Sequence, residues 1–211
     1  METRKPRRPA IIDPETLEYL EGEEDPALSS ESAHTSARIL IKAPREEWSD
    51  PDAETRERLL SYLKTHGIDD LAELWSHSPA ETLPGTLWRL LLIDEWIKRF
   101  PQGVSRRFQQ GLTSPKLSQF IDVQGARTLD FLGWHKRLGT IMTGDFTGDF
   151  ADFLEESQAV LRVLAASEEV WMKEDPTNPL ANPVTMRDDA LMNTAQELFD
   201  SATLYREGRL R

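Results

Sequence analysis

The chain has 211 residues, of which 38% are hydrophobic and 29% charged, with a net charge of −12 and no cysteine. Length and composition predict a soluble globular protein of one domain with tails, able to bury about 70% of its unfolded surface. The lack of cysteine excludes disulfides, thiolate zinc sites, iron–sulfur clusters and a cysteine nucleophile, and the acidic balance weighs against broad attraction to nucleic acid.

Residues 1–28 read as a flexible arm, first basic (Arg4, Lys5, Arg7, Arg8) and then acidic (Glu21, Glu23, Glu24, Asp25). Ala10, Ile11 and Ile12 are too few for the apolar run of a signal peptide. Leu17, Tyr19 and Leu20 would make one short turn of helix able to dock. Residues 29–211 read as a single helical domain. Its first helix is predicted from Ser30 to about Ala43, with Ala33, Ala37, Leu40 and Ile41 on one stripe and Pro44 as its stop. Trp48, in the loop that follows, covers the edge of the core. Asp50 and Pro51 open a second helix, apolar at Leu59, Leu60 and Leu63, which Gly67 ends in a left-handed conformation. Asp69 and Asp70 begin a short helix over 68–76, where negative charge complements the helix dipole.

The stretch LAELWSHSPAETLPGTLWRLLLIDEWIKRF, residues 71–100, holds three of the six tryptophans. It predicts a central helix over about 84–100, capped by Thr82, with Pro84 in its first turn. Leu83, Leu90, Ile93, Ile97 and Phe100 share one face and Leu87, Trp88 and Leu91 another, so neighbours on several sides must bury it. Asp94 with Lys98, and Glu95 with Arg99, form a polar strip of pairs four residues apart. Pro101 ends the helix, and its charged residues oppose membrane insertion.

Pro101 then starts a short helix through Gln110 that Gly111 stops, followed by a piece holding Leu117, Phe120 and Ile121. One helix over 126–143 carries Phe131, Trp134, Leu138, Ile141 and Met142 on one side. GDFTGDF, residues 144–150, is a turn and a helix start, with Gly144 as stop, Thr147 as cap and Asp149 near the positive end. The longest helix is expected over 148–174, with Phe150, Phe153, Leu154, Leu161, Leu164 and Trp171 inward. A proline-rich loop, DPTNPLANP, leads to a last helix opened by Thr185 and Asp188, whose stripe is Leu191, Ala195, Leu198, Ala202 and Tyr205. No alternating strand pattern is present. The fold class is all-α: a multi-helix bundle of about seven or eight helices around the buried central one.

The histidines are His34, His66, His77 and His135. Glu31 and His34 form one Glu-x-x-His pair, but a leucine stands three before each of the others, so a di-metal bundle motif fails. There is no zincin motif, nucleophile elbow, Walker loop or dinucleotide fingerprint. No catalytic, metal or cofactor-binding residue is assigned. For nucleic acid, FPQGVSRRFQQGL, residues 100–112, faintly resembles the turn and recognition-helix start of a helix-turn-helix, although Pro101 breaks the leading helix. A DNA-binding reading would use Arg4, Arg7, Arg8, Lys98, Arg99, Arg106 and Arg107. The bland alternative for 98–107 is a charged, solvent-facing helix.

The segment LAELWSHSPAETLPGTLWRLLLIDEWI, with the later GDFTGDFADFLE, is similar to a group of small actinobacterial proteins labelled inconsistently as DNA-binding protein and thymidine phosphorylase. The similarity covers about residues 30–165 and implies an all-helical, cytoplasmic protein. It carries over no catalytic residue, and the phosphorylase label belongs to a much longer α/β chain with a glycine-rich phosphate site.

The leading expectation is a non-enzymatic helical interaction or regulatory protein whose partner is another protein, with no membrane association. A DNA-associated regulator is the first alternative. The second is an enzyme with a site built from dispersed residues, for which Trp88, Trp96, Trp134, His135 and Asp145 are the suspects. A homodimer is compatible with all three.

Overall fold

The computed structural model describes residues 26–41, 53–167 and 188–210. Among these the chain forms helices and no strand. In order they are α1 (Pro26–Ile41), α2 (Ala53–His66), α3 (Asp69–Ser76), α4 (Leu83–Arg99) and α5 (Pro101–Thr113). A 3-10 turn at Leu117–Gln119 follows, then α6 (Val123–Arg127), α7 (Phe131–Met142), α8 (Phe150–Ala165) and α9 (Asp188–Arg206). The expectations for Arg4, Arg7, Arg8, Trp48, Pro51, Trp171 and Thr185 lie outside the described residues.

α4 is the centre, packed against α1, α3, α5, α7 and α9. Its start is built as the sequence predicts. Thr82 is extended and its side chain accepts a hydrogen bond from the Gly85 amide at 3.2 Å, with Pro84 in the first turn. Gly85 is required there, since a Cβ would stand 1.8 Å from the Pro79 carbonyl oxygen. Leu87, Leu90, Ile93 and Ile97 are all buried, each stabilising by about 1.5–3 kcal/mol relative to exposure. α8 and α9 pack antiparallel: Arg206 at the end of α9 pairs with Asp152 and Glu155 at the start of α8. Phe131, Trp134, Phe153, Phe146 and Phe150 form a continuous ring cluster between α7 and α8.

Several boundaries differ from expectation. α1 begins at Pro26, ahead of Ser30 and within the stretch assigned to the arm. Gly111 does not stop α5; it lies inside the helix and is buried, because Val163 of α8 comes so close that a Cβ would meet its carbonyl oxygen at 1.9 Å. The single helix expected over 126–143 is two, α6 and α7, since Asp130 leaves the helical region and caps α7 by accepting from the Gly133 amide at 3.0 Å. Asp149, not Thr147, caps α8, accepting from the Asp152 amide at 2.9 Å. α8 ends at Ala165, so α9, with 19 residues, is the longest helix among the described residues. No described helix is long and apolar enough to cross a membrane.

Candidate functional site

The polar groups inside the bundle are used to tie helices together. Trp134 Nε1 of α7 donates to Ser157 Oγ of α8 at 2.8 Å, and that hydroxyl donates to the Phe153 carbonyl at 2.7 Å. Trp75 Nε1 of α3 donates to Ser36 Oγ of α1 at 3.1 Å. The hydroxyls of Thr86 on α4 and Ser201 on α9 lie 3.0 Å apart. Each pairing removes the cost of an unsatisfied buried polar atom, about 1–3 kcal/mol.

Two buried charges stand out. Asp94 is fully buried and does not belong to an exposed polar strip. It sits in register with Leu87, Leu90 and Ile97, the inward stripe of α4. Its carboxylate is held from two sides, by Lys98 Nζ at 2.7 Å and by His135 Nε2 of α7 at 3.2 Å. Burial pulls Lys98 down, but the carboxylates of Asp94 and Glu95 outweigh it and leave its pKa above the ordinary lysine value. Arg107 is the second. It is also fully buried, in register with Val104, Phe108 and Gly111 on the inward stripe of α5. Its Nε donates to the Leu164 carbonyl at 2.9 Å, in the last turn of α8, and a terminal nitrogen to Asp188 at 2.7 Å, the first residue of α9. The guanidinium also lies 5.8 Å from the Trp96 ring centre.

These positions revise the nucleic-acid expectation. Arg107 is not part of a surface patch, because its guanidinium is enclosed by protein partners and meets no solvent. Lys98 is exposed but engaged with Asp94 and Glu95. Arg99 and Arg106 remain as exposed members of the described set. The helix-turn-helix likeness fails on geometry: α4 and α5 are joined through Phe100 alone, and Gly103 and Val104 lie within α5 rather than in a turn of three or four residues.

Among the described residues, no hydrogen bond or ion pair joins the residues suspected of dispersed chemistry to one another. Trp96 and Trp134 are core residues, and Trp88 is half-buried. Asp145 is exposed and accepts from the Thr143 hydroxyl at 3.0 Å. His135 alone gains a relevant neighbour in Asp94, which the sequence reading did not pair with it. That carboxylate fixes the ring, as it would for a general base, yet Asp94 is the side-chain partner His135 has among the described residues. No group of three or more acidic or histidine side chains among the described residues is placed to hold a metal ion.

The surface feature that singles itself out is the outward face of α7. Phe131, Trp134, Leu138 and Ile141 point inward and are buried. The opposite positions, Leu132, His135, Lys136 and Gly139, recur at the three-, four- and seven-residue spacing of one helix face. Leu132 is 72% exposed, well above Phe199 at 41% and Tyr62 at 38%. Lys136 is exposed, and a Cβ added at Gly139 would meet nothing within 4 Å, so the backbone there is open to close approach. α7 contains no acidic residue, although the chain as a whole is strongly acidic.

No family model, curated protein or solved structure matches the chain.

Proposed function

We propose that this chain is a non-enzymatic helical interaction protein that docks a protein partner through the outward face of α7. The observation that carries this reading is Leu132, a large apolar side chain left 72% exposed beside Lys136 and the open backbone of Gly139. A face of this kind is suited to receive another chain, since an apolar anchor with a charged rim is how interfaces concentrate their energy. The interior supports the reading from the other side: the buried polar and charged groups join helix to helix, which makes the bundle a rigid platform. The cysteine-free composition and the likeness to small actinobacterial helical proteins support the cytoplasm as its compartment.

The test is a photo-crosslinking amino acid placed at Lys136 in the producing cell. A discrete adduct with one protein, absent when Leu132→Glu is added, is the expected result. An adduct pattern that Leu132→Glu leaves unchanged would sink the assignment of this face.

A further inference from the structure

We propose that the outward face of α5 is a second docking surface, separate from the α7 face, and that its occupant is an extended acidic segment of another protein. The charge of the chain breaks in this region. From Trp96 to Ile121 there is no aspartate or glutamate, while Lys98, Arg99, Arg106, Arg107 and Lys116 all fall within it. The stretch is basic inside a chain of net charge −12, so the remainder holds the whole acidic excess. Packing then sorts the five cations. Arg107 is turned inward, and Lys98 is engaged by Asp94 and Glu95. Arg99, Arg106 and Lys116 stay on the surface.

The helix gives this charge a line. Val104, Arg107, Phe108 and Gly111 of α5 are buried. On the opposite side Gln102, Arg106, Gln109 and Thr113 are all exposed, at spacings of four, three and four residues. They make one stripe along a helix of 13 residues, about 20 Å long. Arg106, in the middle, makes no ion pair among the described residues. Arg99 precedes the stripe in sequence and Lys116 follows it. A stripe with exposed cations and no acid along it complements a chain that carries carboxylates at intervals.

The residues beside Arg106 choose among anions. Gln102 and Gln109 flank it, and neither carboxamide makes a hydrogen bond among the described residues. Each carries both donors and an acceptor, so the pair can meet the N–H and the C=O groups of a peptide backbone. Between them the guanidinium can take a carboxylate in a two-point contact. A phosphate backbone offers acceptors alone. Duplex DNA is held through many phosphates, and acids bound this stripe: Asp122 lies beyond Lys116, and Asp188 and Asp189 are exposed at the start of α9, which Arg107 ties to α5. No aromatic side chain stands on the stripe for a base to stack on. An extended peptide covers about 20 Å with about six residues, short enough to stay on the stripe.

The test titrates the isotope-labelled full chain with a short blocked peptide of alternating glutamate and serine, and separately with an oligothymidylate of equal charge. Amide shifts with the peptide should saturate and be confined to residues 99–119. Arg106→Gln should weaken the peptide at least about fivefold, because a charge-assisted contact is lost. Arg106 is exposed, so the change leaves the bundle folded, and unchanged core amide signals check that. Arg58→Gln, on the exposed side of α2, and Leu132→Glu should leave the affinity within about twofold. Gln102→Ala with Gln109→Ala should weaken the peptide and not the oligothymidylate. Added salt should weaken the peptide as well, since attraction between exposed charges is screened over about 10 Å at 0.1 M. No saturable shift, shifts spread over basic residues outside this stretch, an affinity indifferent to Arg106→Gln, or an oligothymidylate bound as tightly as the peptide overturns the proposal. A peptide that binds only once residues 1–25 are removed assigns the face to the chain's own arm and overturns it too. So do shifts in the free chain that grow with its concentration and vanish in Arg106→Gln, which assign the face to a second copy. Because Leu132→Glu is carried as a control, failure of this surface and failure of the α7 face are read separately.

Discussion

Replacing Arg107 with alanine should destabilise the bundle far more than removal of a surface arginine. The change leaves the Leu164 carbonyl, at 2.9 Å from Nε, without its donor in a buried position, a loss of about 1–3 kcal/mol. Two methylenes of the stem leave the core, at about 0.8 kcal/mol each. Asp188 is 52% exposed, so water takes back most of its pairing and that part is at most about 1 kcal/mol. The sum is about 3–5 kcal/mol, or about 10 °C in Tm for a chain of this size. Arg107→Lys should fall between wild type and alanine, because an ammonium retains the charge but cannot serve both acceptors with a planar fork. Urea unfolding followed by circular dichroism reads the effect as a lower midpoint at unchanged slope. A midpoint for Arg107→Ala within about 0.5 kcal/mol of wild type would refute the argument that this side chain joins α5 to the α8 and α9 ends.

Gly111→Ala should cost at least about 1–3 kcal/mol through overpacking, since the new Cβ meets the Val163 carbonyl oxygen at 1.9 Å and must push α5 from α8; thermal unfolding checks this. Ser157→Ala orphans Trp134 Nε1, now 2.8 Å from its acceptor, and should cost about 1–3 kcal/mol, read by urea unfolding with tryptophan fluorescence. Burial, reinforced by the neighbouring Arg38, holds the pKa of His34 below its ordinary value of 6.5. The unfolded chain therefore binds the proton more readily, so the His34 contribution is fully present above about pH 6.5 and is lost as pH falls through the lowered value. His34→Gln should flatten that part of the stability profile, measured by unfolding between pH 7 and pH 5, and an unchanged slope would contradict the assignment.

Much of the helical layout was legible because it depends on neighbours in the chain. Thr82 with Pro84 specifies a helix start through local hydrogen bonding and a preset φ. Gly67 and Gly144 adopt φ of 86° and 74° at their stops, which glycine does without a Cβ penalty. The stripes of α1, α4, α7 and α9 announced their buried faces through periodicity alone. Gly111 misled because a glycine inside a helix signals a stop and a close helix contact equally well, and only the approach of Val163 distinguishes them. Arg107 and Asp94 show the same limit for charge. Each stands on an inward stripe, a signal present in the spacing, but a charged residue there is accepted only if partners wait inside. Those partners are remote in sequence: Leu164 and Asp188 for Arg107, and His135 for Asp94. Chain order and periodicity thus define where helices form and which sides they bury, because those depend on residues within a few turns of one another. Whether a given charge is a surface patch or an interior tie, and which large apolar side chain is left exposed among the described residues, as Leu132 of α7 is, depends on side chains brought together from distant positions, and the packing of the helices alone brings them together.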